Sequence, residues 1–302
     1  MTRRSPVDVI YVAAAAHDAR YTRICVASLR AYYPDAPIKL LAGGVLEAGL
    51  ADELATYWDV AVADLPRVDY GWGFVKLEPL FGPPGERFLV LDSDTVITGP
   101  VLDCWRPDDG PFLVDDETQP EGRAKELYYD WDVLRSELPE TVTPRFLFNS
   151  GQWFGTAGVL TRRDFEPVLA WTTPPTLRHA KLFMPGDQGV LNFVLNQKAA
   201  LEGLRVERKV IMRWPRNDMS DLSAADVASG RAPARVVHWA GLKQANQRLM
   251  PGSDLLRHFE AAYYRRLPQG RPRRSFRALR STSASLAGRL RAVSRRLRPT
   301  PG

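Results

Sequence analysis

The chain has 302 residues, 45% apolar, 25% charged and 10% aromatic, a globular composition that excludes disordered, fibrous and collagen-like proteins. No apolar run approaches the roughly 18 residues that a membrane-spanning helix needs. The net charge of +6 belongs to one end: residues 265–302 hold twelve arginines and no lysine, aspartate or glutamate, and taking these from 41 basic residues leaves 29 against 35 acidic ones, about −6 for the body.

In chain order, Met1–Arg4 and the apolar stretch Val7–Ala16 have the look of a short signal peptide. Asp8 interrupts it, and a buried parallel strand over Val9–Ala13 accounts for the same run without export. A loop through His17 and Asp18 follows, then Cys25, Val26, Leu29 and Tyr33 at helical spacing until Pro34. Strands are expected at Ile38–Ala42 and Val60–Val62, with a short helix around Leu46 to Thr56 between them. Strand, helix, strand, helix, strand implies a parallel sheet with covered faces. Phe88–Leu91, bounded by Pro83-Pro84-Gly85 and Gly99-Pro100, reads as a central strand.

Beyond residue 100 the pattern loosens. Strands are expected near Phe112–Val114, Phe146–Phe148, Val206–Met212 and Val236–His238, and helices at about 163–172, 187–197 and 254–266. A Pro/Gly/Arg-rich break at Leu267–Pro272 divides a globular body, 1–264, from the arginine-rich tail, 265–302. Cys25 and Cys104 have neither metal-ligand spacing nor a disulfide framework, which fits two small buried side chains in a reducing compartment.

Asp92-Ser93-Asp94 follows directly on the strand Phe88–Leu91. In an extended segment side chains two apart share a face, so the two carboxylates converge while Ser93 points away. Ligands of open α/β sheets bind beyond the carboxyl ends of the strands, and two hard oxygen donors there suit Mn²⁺ or Mg²⁺ bridging to a diphosphate. The triplet alone is unspecific: Asp130-Trp131-Asp132 repeats the spacing with no buried strand before it, and the plain alternative for such a pair is a solvated turn after a strand. Further on come Asn149-Ser150-Gly151 after Phe146–Phe148, Gly186-Asp187-Gln188-Gly189 at the start of a helix, and His238 at the end of Val236-Val237. Each has a plain structural alternative: Asn149 as a turn former, Asp187 as an N-cap, His238 as a core histidine.

Taken in order, Asp92-Ser93-Asp94-Thr95, Phe148-Asn149-Ser150-Gly151, Gly186-Asp187-Gln188-Gly189 and His238-x-x-Gly241 resemble the signature of glycosyltransferase family 8, from the first strand to about residue 243. The resemblance implies a GT-A fold: an α/β, Rossmann-like, mixed but mainly parallel central sheet flanked by helices, here with a basic C-terminal tail. It divides the body into a nucleotide-sugar half, about 1–100, and an acceptor half, about 101–264. It implies Asp92, Asp94 and His238 as metal ligands, and Asp187, Gln188 and Asn149 around the donor sugar and its anomeric carbon. It implies donor contacts from Lys76 and Lys243, with Ser93 and Gly241 beside them. Ala13, Asp18 and Tyr21 are placed in the first strand-to-helix loop around the uracil ring, and Asp115 at a sugar hydroxyl. The sequence departs from the family after His238, where lysine usually stands six residues on and precedes Pro-Trp. Here Lys243 is five residues on and Gln-Ala follows.

The implied reaction moves a hexose from a UDP-sugar to a hydroxyl of a glycan, lipid-linked sugar or small molecule, with Mn²⁺ or Mg²⁺ and retention at the anomeric carbon. Retention allows a front-face substitution, which is favoured, or a double displacement through Asp187. The rival enzyme reading is a nucleotidyltransferase using the same Asp pair; no Gly-rich phosphate loop follows the first strand. In the tail, Phe276, Leu279, Leu286, Leu290, Val293 and Leu297 fall mainly on one helical face among arginines. That pattern suits a membrane-surface helix and a solvated disordered end equally. The expected place is the cytoplasm, with peripheral contact at the inner face of the plasma membrane. A non-catalytic protein docking at membrane or nucleic acid is the third reading; no nucleic-acid recognition module is present.

Overall fold

The computed structural model describes residues 6–106, 108–216, 219–244 and 246–277. Strands β1 (Val9–Ala14), β2 (Ile38–Ala42) and β3 (Val60–Val62) run parallel and alternate with helices α1 (Ala19–Tyr32) and α2 (Leu50–Trp58). A 3₁₀ helix, Phe74–Phe81, leads into β4 (Arg87–Asp92), then β5 (Thr95–Ile97) and β6 (Phe112–Asp115). Helices α3 (Glu121–Leu127) and α4 (Trp131–Glu137) precede β7 (Gln152–Thr156). There follow α5 (Arg162–Phe165), the β8–β9 hairpin (Leu169–Ala170, Thr176–Leu177) and α6 (Asp187–Leu201). The described elements end with β10 (Val206–Lys209), β11 (Met212–Arg213), α7 (Ala224–Ala228), β12 (Val236–His238) and α8 (Ser253–Arg265).

The main sheet has the order β10-β6-β7-β4-β1-β2-β3, with β7 antiparallel to both neighbours and the other pairs parallel. A second sheet has the order β11-β12-β5, and Val96 and Ile97 of its β5 pack with α1. The expected central strand is indeed the middle of seven. Its residues alternate between two cores: Leu89 and Leu91 pack with α1 and α8, Phe88 and Val90 with α6 and the 3₁₀ helix. A strand buried on both faces has to be apolar at every position, which is why it was visible as a run.

The chain steps outward from β1 to β2 to β3, then crosses back to the far side of β1 as β4, with Ala13 paired to Asp92. Connections therefore leave the carboxyl ends of β1 and β4 in opposite directions. The crevice so opened is where this sheet type binds ligands.

Several expected elements moved. Gly49, at φ 74°, delays α2 to Leu50. Pro167, with no N–H to give, ends the helix expected over 163–172 after four residues, and Leu169–Ala170 joins a hairpin instead. Phe146–Phe148 is not a sheet strand. Asn192 and Asn196 of α6 bond both to its N–H groups and to its carbonyls, so the segment is satisfied from the side without a ladder. Val206–Met212 splits into β10 and β11 because Asp115 accepts from the N–H groups of both Ile211 and Met212 and turns the chain out of the main sheet. Asp130 of Asp130-Trp131-Asp132 is the N-cap of α4.

The arginine-rich segment does not leave the body at residue 265. Leu267 is buried, residues 270–277 are helical, Arg273 and Arg277 reach Glu53, and Arg274 reaches Glu260. Phe276 is exposed, and Leu279, Leu286, Leu290, Val293 and Leu297 of the expected amphipathic face lie outside the described residues.

Candidate active site

At the switch point lies a cavity of about 810 Å³, bounded by the ends of β1 and β4, the loop before the 3₁₀ helix, the first residue of α6 and the segment after β12. Asp92, Asp94 and His238 each offer one ligand atom, all within 4.8 Å of one another. His238 Nε2 is 3.2 Å from Asp94 Oδ1 and 3.7 Å from Asp92 Oδ2. The antiparallel β12–β5 pair brings the histidine there, with His238 opposite Thr95. Trp214 stacks on the imidazole at 5.4 Å. Gly151 leaves room for the ring: a Cβ there would collide with Cε1 and lie 2.5 Å from Nδ1.

Two lysines flank the cluster. Lys76, buried on the 3₁₀ helix, lies 2.9 Å from Asp92 Oδ1 and 3.1 Å from Asp187 Oδ2, and donates to the Ser150 carbonyl and hydroxyl at 3.2 Å. An exposed helix lysine would be the ordinary expectation for such a position; this one sits inside, where two carboxylates offset its desolvation. Lys243 lies 2.9 Å from both Asp18 oxygens and 3.2 Å from Asp94 Oδ2. Its register after His238 differs from the family's, yet its ammonium reaches the cluster. The contacts run as a chain: Asp18, Lys243, Asp94, His238, Asp92, Lys76, Asp187.

Burial raises the Asp94 carboxyl, but the facing His238 and Lys243 outweigh it and hold it well below the usual range. Burial likewise raises Asp187, and Lys76 only partly offsets it. Burial lowers Lys76, but Asp187 and Asp92 more than reverse this and keep it a cation. Lys243 is raised in the same way by Asp94 and Asp18. The donor set, two carboxylates and one imidazole with a cation on each side, fits a divalent ion bridged to an anionic diphosphate.

Of the other expected positions, Ala13, Asp18, Ser93 and Gly241 line the cavity. Ser93 does so although strand alternation points it away, because β4 ends at Asp92 and Ser93 begins a turn. Tyr21 is not in the loop: a 3₁₀ turn at Ala16–Asp18 starts α1 early, and Tyr21 sits buried in that helix with its hydroxyl on Met250 Sδ at 3.3 Å. Asp115 is also outside the cavity, its Oδ1 taken by the Ile211 and Met212 amides and its carboxyl raised by burial. Asn149 and Gln188 are half-buried outside the cavity lining and bond to each other, Nδ2 to Oε1 at 2.8 Å. Gln188 also donates to the Leu127 carbonyl, and Asn149 accepts from Gly151 N, so the pair fixes the turn that carries Gly151 and Ser150.

Asp69, Trp72 and Gly73 also line the cavity and were not anticipated. The available signal was Gly71-Trp72-Gly73, an aromatic residue between two glycines. Both take positive φ, and a Cβ on Gly73 would collide with Asp187 Oδ1.

The fold is that of GT-A glycosyltransferases, as the family 8 resemblance implied. No family model matches the sequence, and no curated protein matches it. Among solved structures, an active-site variant of LgtC aligns at a TM-score of 0.53 and 14% identity, over 84% of this chain and 95% of that one. The apo bifunctional glycosyltransferase WbbM aligns at 0.53 and 14%, over 87% of this chain and 50% of that one.

Proposed function

We propose that the chain is a metal-dependent glycosyltransferase moving a hexose from a UDP-sugar to a hydroxyl acceptor with retention. The observation that carries the reading is the convergence of Asp92, Asp94 and His238, flanked by Lys76 and Lys243, at the switch point of a sheet with the GT-A fold. Asp92, Asp94 and His238 would hold Mn²⁺ or Mg²⁺, which when bound offsets the charge of a departing diphosphate.

The residues of the chain do the rest. Lys243, tied to Asp18, supplies a cation at the nucleotide end, and Lys76 supplies one at the sugar end, where Asp187 can accept from sugar hydroxyls. Asp187 is ion-paired to Lys76, which makes it a poor nucleophile and favours the front-face route. In that route the bond from the anomeric carbon to the diphosphate oxygen breaks with its electron pair. The acceptor oxygen bonds to the same face, and its proton passes to the diphosphate. Pre-set charges and orientation supply the rate enhancement.

The test is turnover of UDP-glucose and UDP-galactose with Mn²⁺, followed as UDP release. The unaltered chain releases UDP and Asp94→Asn does not; equal release by the two removes Asp94 from the site.

A further inference from the structure

Resting on the donor-site reading, we propose that Trp72 is the platform on which the acceptor sugar stacks. Trp72 is 75% exposed although it lines the cavity. The chain is built around the indole. Gly71 and Gly73 on either side adopt φ 60° and 81°, conformations that side chains disfavour. Gly186, at φ 106°, leaves room that a Cβ would take, 3.2 Å from Trp72 Cδ1 and 3.1 Å from its carbonyl. Gly71 and Gly73 thus shape the backbone that carries the indole, and Gly186 leaves room for it beside the N-terminus of α6, immediately before Asp187.

The order of contacts decides which end of the substrate meets it. Asp18 and Lys243 lie on one side of the metal cluster, Lys76 and Asp187 on the other, and Trp72 adjoins Asp187 through Gly73 and Gly186. With the diphosphate at the cluster and the nucleoside toward Asp18, the transferred hexose lies at Lys76 and Asp187, and Trp72 bounds the space its acceptor enters. A pyranose has one face of C–H bonds and a rim of hydroxyls, so an indole beside a carboxylate matches both. Asp69, whose Oδ1 also accepts from Gly71 N at 2.9 Å, is that carboxylate. Apolar walls with a few placed polar groups are the usual make-up of a small-molecule site.

The test is ¹⁹F NMR of the full chain labelled with fluorotryptophan, with the Trp72 signal identified by Trp72→Phe among eight tryptophans. Lactose, maltose and the methyl glycosides of glucose and galactose are titrated in the presence of UDP and Mn²⁺. At least one sugar is expected to shift the Trp72 signal saturably, and Trp72→Ala to weaken that sugar roughly tenfold, in line with a stacked aromatic contact. Thermal stabilisation of Trp72→Ala by UDP and Mn²⁺ shows that the variant is folded. A Trp72 signal that moves with UDP itself makes the indole a base platform and overturns the proposal, as does a signal that no sugar moves. If the unaltered chain gains no stability from UDP and Mn²⁺, the donor reading fails and takes this one with it; stabilisation without a sugar response removes this one alone.

Discussion

Gly151→Ala tests how the histidine is admitted to the site. The new Cβ would stand 2.5 Å from His238 Nδ1 and 2.7 Å from Asn149 Oδ1, with the ring carbon closer still. Ordinary contact requires the imidazole to retreat by about 1 Å, whereas metal–ligand distances tolerate roughly 0.2 Å. Trp214 stacks on the ring and restricts its retreat. The substitution should therefore cost at least about 10- to 100-fold in Mn²⁺ affinity, the usual effect of disturbing the groups that orient a metal ligand, and about 1–3 kcal/mol of stability from overpacking. Isothermal titration of Mn²⁺ into the UDP-saturated chain reads the first, and urea unfolding the second. Gly122→Ala, where nothing lies within 4 Å of the added carbon, is the control: it should leave Mn²⁺ affinity unchanged and, lying in helix α3, should gain up to about 1 kcal/mol of stability rather than lose any. Mn²⁺ affinity of Gly151→Ala within twofold of the unaltered chain would refute the placement of His238.

Glu53 lies under Arg23, Arg273 and Arg277 and accepts from the Tyr263 hydroxyl. Burial raises its pKa, but Arg277, Tyr263 and Arg23 outweigh it and lower the carboxyl from 4.5 to about 2. The resulting stability is present above pH 4.5 and lost as pH falls toward 2, so Glu53→Gln should flatten the acid limb of a stability–pH curve and cost on the order of 2 kcal/mol at pH 7; an unchanged acid limb would contradict this. Lys76→Met leaves the buried Asp187 and the half-buried Asp92 without their cation and should cost about 3 kcal/mol. Because burial then holds Asp187 still further up, its favourable contribution survives only at low pH. The variant should unfold more easily at pH 8 than at pH 5, and adding Asp187→Asn should recover part of the loss; no recovery would mean the pair is not coupled. A chain ending at Arg277 should keep full thermal stability and one ending at Tyr264 should lose several degrees, since Arg273, Arg274 and Arg277 grip the body; equal midpoints would show that the grip contributes nothing. If the basic end docks on lipid, the full chain sediments with anionic vesicles and the chain ending at Arg277 does not; equal sedimentation excludes that role.

The first half of the fold was legible because Val9–Ala13 and Phe88–Leu91 are buried on both faces and form apolar runs with clear stops, while Ile38–Ala42 and the edge strand Val60–Val62, whose Ala61 and Val62 are exposed, carry the β-branched and apolar residues that strands favour. The second half was not, because side chains there replace ladders. Phe146–Phe148 has the composition of a strand but is held by Asn192 and Asn196, while the true strand β7 carries Gln152 and Gly155 and lacks an apolar run. In the site, motif order brought Asp92, Asp94, His238, Asp187 and Lys76 to one place. Tyr21 and Asp115 lie outside the cavity lining, bonded to Met250 and to the Ile211 and Met212 amides, which are remote in sequence. Trp72 escaped notice because nothing but its flanking glycines distinguishes it from a surface aromatic.

The central claim, a metal-dependent UDP site at the β1–β4 switch point, is tested most directly by thermal unfolding with UDP, with Mn²⁺, with both, and with ATP in place of UDP. At about 100 times its dissociation constant a ligand stabilises by ~2.7 kcal/mol, a shift of roughly 5 °C for a chain near this size. The account predicts that shift for UDP with Mn²⁺ together, and its loss in Asp94→Asn. Stabilisation by ATP with the metal and none by UDP would contradict it and make the aspartate pair that of a nucleotidyltransferase.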